Sequence, residues 1–469
     1  MSGLFRVGEQ KIRPGVYRRY ENAGSSNAPG AIVGVMAIAV HADFGPLNVV
    51  STFESDQIAD MEAMYGTSGT MNAAKALFEG GASKVHIFRL GEGGKEPTLA
   101  ISASEGTEIA TLKAKYPTAS NYNVSIKESL DDATKKQILV YLDAILLETI
   151  LYAKSEDEKA ALVEAVNTNS KYLTATAGEG TGAASVIANA SLTDGEAPTV
   201  STESYETAFT AFEAYTWNYM VIDTVDVAVH ALASAYMDRI YEAGLLGVCI
   251  LGEPTTVSFA DRLAHAKAFN NEKIIYLGSG YEDADGNKVD GYLAIAKQAG
   301  IIGATGSDES ITHTVVSGAV NTLESLKNSQ YEDAIKGGML LLSPNAEGQV
   351  WFDSGINTLV TLGDNQDEGW KKIRRTSTRF EVFDRIDRAV APLIGKVNCD
   401  NIGIGDVIMA GQKVLDAMVA ESKFMAGATF VEDAEFRRGP DYAYFVIDAV
   451  DIDSLEKIYL RYRFRFSAE

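Results

Sequence analysis

Apolar positions along this chain repeat in two periods, and the changes between them divide it into segments. Residues 31–40 form a short apolar run bounded by turn residues, the pattern of a buried strand. Residues 56–78 read mainly as helix, and Lys84-Val-His-Ile-Phe-Arg-Leu90 as a strand with alternating faces. The pattern breaks at Gly91-Glu-Gly-Gly-Lys-Glu-Pro97. From there to about residue 200 the chain is Thr/Ser/Ala-rich, with a strand expected over 123–127, a largely helical stretch over 132–153 and a Gly/Ala/Ser-rich run over 175–198. From Tyr205 a regular rhythm begins: helix 203–214, strand 218–223, helix 226–243, strand 245–251, helix 257–269, strand 273–277 and helix 290–299. Strands alternating with helices of this length imply βαβ units and a largely parallel sheet. The rhythm stops near Trp351-Phe-Asp-Ser-Gly-Ile-Asn-Thr358. Beyond it, Lys371-Lys-Ile-Arg-Arg375 opens a basic stretch, followed by helices over 379–394 and near 405–422 and strands over 429–432, 442–450 and 458–466.

The expected fold class is therefore α/β plus α+β and multidomain. Residues 1–30, polar and punctuated by Gly and Pro, are an N-terminal arm and linker. Residues 31–94 and 201–370 make a parallel-sheet body, 95–200 an inserted domain of mixed α/β character, and 371–469 a C-terminal α+β module ending in an extended β-arm.

That last arm carries the clearest pattern. In a strand, Leu460, Tyr462, Phe464 and Phe466 share one face and Arg461, Arg463 and Arg465 the other. Two readings stay open: an edge strand of the chain's own sheet with arginines guarding its exposed side, or an arm that extends a neighbouring subunit's sheet. Burying four large side chains gains about 1.5–3 kcal/mol each, while ordering eight residues costs about 1–2 kcal/mol each. One such arm grips weakly, and many in a repeating lattice hold firmly.

Charge adds a second division. Lys and Arg total 41 against 64 Asp and Glu, a formal charge of -23, which argues against a nucleic-acid binder. Residues 371–469 hold 16 bases and 16 acids, so the first 370 residues carry the whole excess. The charge therefore divides the chain into an acidic body and an electrically balanced tail.

The search for chemistry returns little. Cys249 and Cys399 are far apart in sequence and form no CxxC, so neither a disulfide framework nor a cysteine metal site is expected. His41, His86, His230, His265 and His313 show no ligand spacing. Gly91-Glu-Gly-Gly-Lys95 lacks the Ser or Thr of a phosphate loop. Gly278-Ser-Gly280 lacks the third glycine of a dinucleotide loop, and Asp283-Ala-Asp-Gly-Asn-Lys-Val-Asp290 fails the EF-hand pattern, leaving Asp285-Gly286 as a tight turn. There is no GxSxG. No catalytic, cofactor or metal residue is assigned. The N-terminus lacks a signal-peptide layout, and the 31–40 run is about half of what spans a bilayer. Synthesis in a reducing cytosol without stable membrane insertion is the expectation.

Five short stretches, in order and spread across nearly the whole chain, carry a resemblance. Arg13-Pro-Gly-Val-Tyr17, Leu112-Lys-Ala-Lys-Tyr-Pro117, Ser191-Leu-Thr-Asp-Gly195, Gly355-Ile-Asn-Thr358 and Asp453-Ser-Leu-Glu-Lys-Ile-Tyr459 resemble contractile-tail sheath proteins, above all those of myophages and phage-tail-like bacteriocins of Gram-positive hosts. Residues 112–121 depart from the pattern in lacking the glycines usual after that proline. The resemblance implies a structural subunit and no enzyme: six-membered rings stacked in a helix around an inner tube protein, with baseplate and tail terminator proteins at the ends. On this resemblance a trigger releases an extended state into a shorter, wider one that drives the tube through a cell envelope. The protein is then made in the bacterial host cytoplasm and built into a virion tail or a phage-tail-like particle. The resemblance also implies that Ile12, Pro14, Gly15, Val16 and Tyr17 and residues 460–466 are the subunit-linking arms, that 95–200 faces outward, and that Lys413 and Asp416 are candidate contacts to the tube. The rival readings are an α/β nucleotide- or sugar-binding enzyme, which would need a loop–helix phosphate site, and a surface-layer type of lattice protein, which normally carries an export signal.

Overall fold

Strand Val35–Val40 is buried at every position, and its alternation sorts the hydrophobic core into two layers. Met36, Ile38 and Val40 face one core and Val35, Ala37 and Ala39 the other. The same parity holds in Tyr219–Ile222, Val248–Gly252 and Ile274–Leu277, so these near-continuous apolar strands must be covered on both sides. They are the middle of a seven-stranded sheet ordered Met339–Leu340, Ile274–Leu277, Val248–Gly252, Tyr219–Ile222, Val35–Val40, Lys84–Arg89, Val50–Glu54. Every pairing is parallel except the last. This computed structural model describes residues 2–4, 16–18 and 28–465. The chain is a multidomain mixed α/β protein. It divides into two compact units, one built from residues 32–381 with the described part of 451–469, the other from residues 382–450 with the described part of 1–31.

Helices Ile58–Tyr65, Met71–Gly80 and Gly291–Ala304 cover the first core, and Thr202–Phe212, Val227–Glu242 and Phe259–Phe269 the second. The expected single helix over 56–78 is two, because Gly66 and Gly69 sit at φ 79° and 65° and break it. Met71–Gly80 and Gly291–Ala304 approach closely through glycine. A Cβ on Gly300 would lie 2.3 Å from the Leu77 carbonyl oxygen, and one on Gly80 2.5 Å from that of Lys297. Helix propensity alone favours Gly300→Ala by about 1 kcal/mol. The backbone collision reverses that sign, so Gly300→Ala should lower stability by about 1–3 kcal/mol, read as a fall in the urea midpoint at unchanged slope.

Residues between 98 and 191 build two sheets of their own. One is ordered Leu173–Ala177, Glu108–Ala114, Thr98–Ser102, the other Ile145–Ala153, Lys135–Leu142, Tyr122–Glu128, Ile187–Ser191, with helix Lys159–Asn169 beside them. The expected helix over 132–153 is instead a hairpin. Leu142 pairs with Ile145 across a tight turn in which Asp143 takes φ 52°. Ile138 and Val140 face the domain's core in strand alternation. At its buried end Lys136 donates to Glu158 (2.9 Å) and to the Ala184 carbonyl (2.7 Å). The chains entering and leaving this domain pair as Glu92 with Thr199, Lys95 with Glu196 and Thr98 with Thr193. Gly195, closing the Ser191–Gly195 motif, lies against the Thr118 carbonyl, where a Cβ would meet the oxygen at 2.3 Å. The Gly355–Thr358 motif is likewise structural. Asn357 is buried and donates to the Trp370 carbonyl (2.7 Å), and Thr358 donates to the carbonyls of Ile274 and Asn271.

In the second unit, helix Asn401–Ala420 is capped by Asp400, which accepts from the amides of Ile402 and Gly403. Hairpin Thr429–Glu432 with Phe445–Asp448 lays Phe430 against Gly411 and stacks it on Phe445 at 5.3 Å. Arg385 grips Glu421 through two hydrogen bonds (2.9 and 2.7 Å), which pull that carboxyl down to about 2. Strands Ser2–Leu4 and Val16–Arg18 pair in parallel.

Candidate assembly surface

The basic stretch that opens at Lys371 acquires a partner in three dimensions. The first two turns of helix Ile373–Val390 and the residue before it hold the acidic segment that begins at Asp451. Arg375 makes a two-pronged contact with Asp451 (2.7 and 2.6 Å), and Arg379 stands behind, 3.7 Å from the same carboxylate and stacked over Trp370. Lys372 pairs with Asp453 at 2.7 Å and Glu456 at 2.8 Å, and Arg374 donates to the Ser454 hydroxyl. The other oxygen of Glu456 accepts from Ser310 and Thr312. Burial disfavours charge on Lys372, but the hydrogen bonds to Asp453 and Glu456 outweigh it and raise the ammonium above its ordinary value. Burial likewise works against charge on Asp451, and Arg375 overcomes it to hold that carboxyl below the usual range. Several half-buried ion pairs on one helix end form a network, where geometry gives more than isolated surface pairs do.

Past Glu456 the described residues have no such anchors. Ile458, Tyr459, Leu460, Tyr462 and Phe464 are all exposed, Tyr459 at 89% and Phe464 at 84%, far more than apolar residues with a partner would be. Arg461, Arg463 and Arg465 are exposed as well. Tyr462 and Phe464 stack with ring planes 10° apart, the i, i+2 neighbours of an extended backbone. Among the described residues, 457–465 pairs with no strand of its own chain, so 458–465 is not seen as an edge strand of the chain's own sheet, and Phe466 lies outside the described residues. A strand ladder needs a second backbone, and the described residues do not supply one. Residues 371–469 also do not make one body: 382–450 pack with one another, while 451–465 belong with 32–381 through the ion pairs just described.

Hairpin 429–432/445–448 is a second incomplete sheet. Its two strands pair only with each other among the described residues, so each keeps an open edge. Phe430 and Ile447 face the helix, whereas Val431 and Val446 are exposed on the other side. Lys413 and Asp416 both lie on the exposed side of helix Asn401–Ala420, where Asp416 accepts from Gln412 at 2.8 Å. Of the N-terminal arm residues, Val16 and Tyr17 fall in strand Val16–Arg18. Ile12, Pro14, Gly15 and Phe466 lie outside the described residues. Asp453 and Glu456 fall in the Asp453–Tyr459 stretch that carries the resemblance, but no role for them or for Asp451 follows from the sequence. The complementary charge of 371–375 and 451–456 is the signal for their pairing, and roughly 80 residues of chain separate the two runs. Among the described residues no group of His, Cys, Asp and Glu is placed to hold a metal ion, and no helix is long and apolar enough to cross a membrane.

Comparison with known proteins agrees with this architecture. Residues 198–358 match the profile of the phage tail sheath protein central domain. The uncharacterized protein YqbK of Bacillus subtilis strain 168 is 23% identical over 382 residues, 79% of this chain and 78% of that one. The crystal structure of the sheath tail protein from Desulfitobacterium hafniense superposes with a TM-score of 0.71 at 17% identity, covering 93% of this chain and 100% of the other. The PVC sheath complex of an extracellular contractile injection system, in its contracted state, gives 0.56 at 9% identity over 97% and 98%. Residues 198–358 are thus similar to the central domain of phage tail sheath proteins, within a fold similar to that of sheath proteins from contractile, phage-tail-like systems.

Proposed function

We propose that this protein is the structural subunit of a contractile tail sheath, not an enzyme. Copies polymerise as six-membered rings stacked helically around an inner tube, capped by baseplate and terminator proteins. The assembly shortens to drive the tube through a target cell envelope. The observation that carries this reading is the tail over 457–465: an alternating apolar and arginine strip, exposed and without a strand partner among the described residues, fastened at its root by the Lys372 and Arg375 ion pairs. Such a strip is built to join a sheet in another subunit, and the open-edged hairpin 429–432/445–448 offers that edge. A second arm, including Ile12, Pro14, Gly15, Val16 and Tyr17, completes the link. A flexible arm on an anchored root lets neighbouring bodies move while the connection persists. Lys413 and Asp416 present both signs of charge on one exposed helix face, suited to meeting a tube. The inserted domain at 95–200 faces outward, and the protein acts in a virion tail or headless particle after synthesis in the host cytoplasm.

Negative-stain microscopy of the concentrated full-length protein tests the reading. Hollow striated cylinders are expected. Flat sheets would point to a surface-layer lattice, and monomers at every concentration, with bound nucleotide or sugar, to the enzyme reading.

A further inference from the structure

Three of the inserted domain's contacts with the central sheet trace back to one short loop, residues 41–45, which follows strand Val35–Val40. Phe44 leaves the loop to enter the inserted domain's core, where its ring meets Tyr116 at 5.1 Å, Tyr122 at 5.3 Å and Tyr172 at 5.7 Å. Arg89, fully buried at the end of the neighbouring strand, donates to the carbonyls of Ala42 (2.8 Å) and Gly45 (2.7 Å) on the loop and of Pro117 (2.8 Å) on the inserted domain. His41, Ala42 and Asp43 line a cavity of about 320 Å³ whose other walls are Leu90 and, across from them, Ala119, Ser120, Ala197, Pro198 and Val200.

The root of this loop is held by a buried charge. Asp223 follows strand Tyr219–Ile222, beside His41 at the carboxyl end of the sheet, where the strand order turns in opposite directions. Its side chain is inaccessible to solvent and accepts from Thr70 Oγ1 (2.5 Å), Tyr205 Oη (2.7 Å), His41 Nδ1 (2.8 Å) and the His41 amide (3.2 Å). Thr70 and Tyr205 are neutral donors, so the imidazole is the group positioned to balance the carboxylate. A buried carboxylate without a counter-charge is costly, which makes the protonation of one imidazole decisive for the loop.

We propose that His41 and Asp223 form a proton-controlled latch that seats the inserted domain on the central sheet. With His41 protonated, the pair pins the start of the loop, and through Phe44 and the Arg89 carbonyls it fixes residues 116–120 of the inserted domain. With His41 neutral, Asp223 is left with uncharged donors and the seat loosens. The groups facing His41 are Asp223 from the adjacent strand end, Tyr205 from helix Thr202–Phe212, Thr70 ahead of helix Met71–Gly80 and Asp43 on its own loop; Asp226 stands beyond Asp223, Arg89 holds the loop's carbonyls, and the walls at 119–120 and 197–200 are uncharged. The hydrogen bond to Asp223 raises the His41 imidazole above its ordinary 6.5, against an opposing but smaller effect of burial. Stability from a raised imidazole is complete below the unfolded value and is lost as pH rises through the folded one. The latch therefore holds fully below pH 6.5 and opens as pH rises through the raised folded value above it.

Hydrogen-exchange mass spectrometry on the full-length protein from pH 6 to 9, corrected for intrinsic exchange rates, tests it through peptides covering 41–47 and 116–122. Protection there is expected to fall by about tenfold or more across that range while the 248–252 strand stays unchanged. His41→Gln should show the loosened state at pH 6. His41→Lys, permanently charged, should hold protection across the range. The histidine ring signal of His41 should titrate above 6.5 and return toward that value in Asp223→Asn. Protection independent of pH, or a wild-type profile in His41→Gln, would overturn the latch. Should a variant not fold, the wild-type exchange profile and ring titration decide by themselves.

Discussion

Removing residues 459–469 should leave a folded monomer that forms no tubes. The last described side chain with part-buried anchors is Glu456, held by Lys372, Ser310 and Thr312. Beyond it the described residues to 465 are exposed, so their loss empties no core and opens no ion pair. The monomer's unfolding midpoint should therefore stay within about 0.5 kcal/mol of the full-length protein, as for surface changes in general. Assembly responds in the opposite way. Each arm contributes a small net free energy, because burial at about 1.5–3 kcal/mol per large side chain is nearly offset by ordering at about 1–2 kcal/mol per residue. A lattice multiplies that small surplus over every subunit, so deleting the arm removes polymerisation altogether rather than weakening it. Light scattering and electron microscopy check both halves. Normal tubes from the truncated protein would refute the linkage, and a large loss of monomer stability would show that the tail belongs to the fold.

The second large effect is expected inside the inserted domain. The Lys136 and Glu158 side chains are 5% and 0% exposed, and Glu158 also accepts from the Ala184 amide (2.9 Å) and from Tyr152 Oη (3.3 Å). Lys136→Met removes the one cation and strands a carboxylate in an apolar core. Breaking a buried pair in this way costs about 3–5 kcal/mol, several times the worth of an exposed pair. Urea unfolding should register that loss. Adding Glu158→Gln should recover part of it, because the amide oxygen still accepts from Ala184 and no charge remains to be solvated. A single variant within about 1 kcal/mol of the parent would mean that water reaches the pair.

Two places where sequence pattern and structure part company have different causes. In 132–153 the apolar residues are too dense for a period to stand out: Leu139 is buried beside Ile138 and Val140, and a bulge between Leu146 and Glu148 resets the alternation. In 458–465 the alternation is clean, yet a strand exists only with a pairing backbone, and none is found among the described residues. By contrast the central strands were legible because burial on both faces demands uninterrupted apolar runs of strand length, and helices between them demand parallel order. Of the assembly surface, the apolar and arginine alternation of the tail could be read directly. Its anchorage could not, since Asp451 and Glu456 meet Arg375 and Lys372 only after the intervening residues have folded.

The charge division follows the same line. Composition alone established that the acidic excess lies in the first 370 residues and that 371–469 is balanced. Tertiary structure decided what the balance is for: part of it is spent internally, with 371–375 clamping 451–456 and Arg385 gripping Glu421. The histidines looked scattered, and only the meeting of two parallel strand ends brings His41 onto Asp223. Local pattern indicates element and burial where a clear period stands out, as in the central strands, because that depends on neighbours in sequence. Which charges meet depends on chain crossings at long range, and those exist only in the folded molecule.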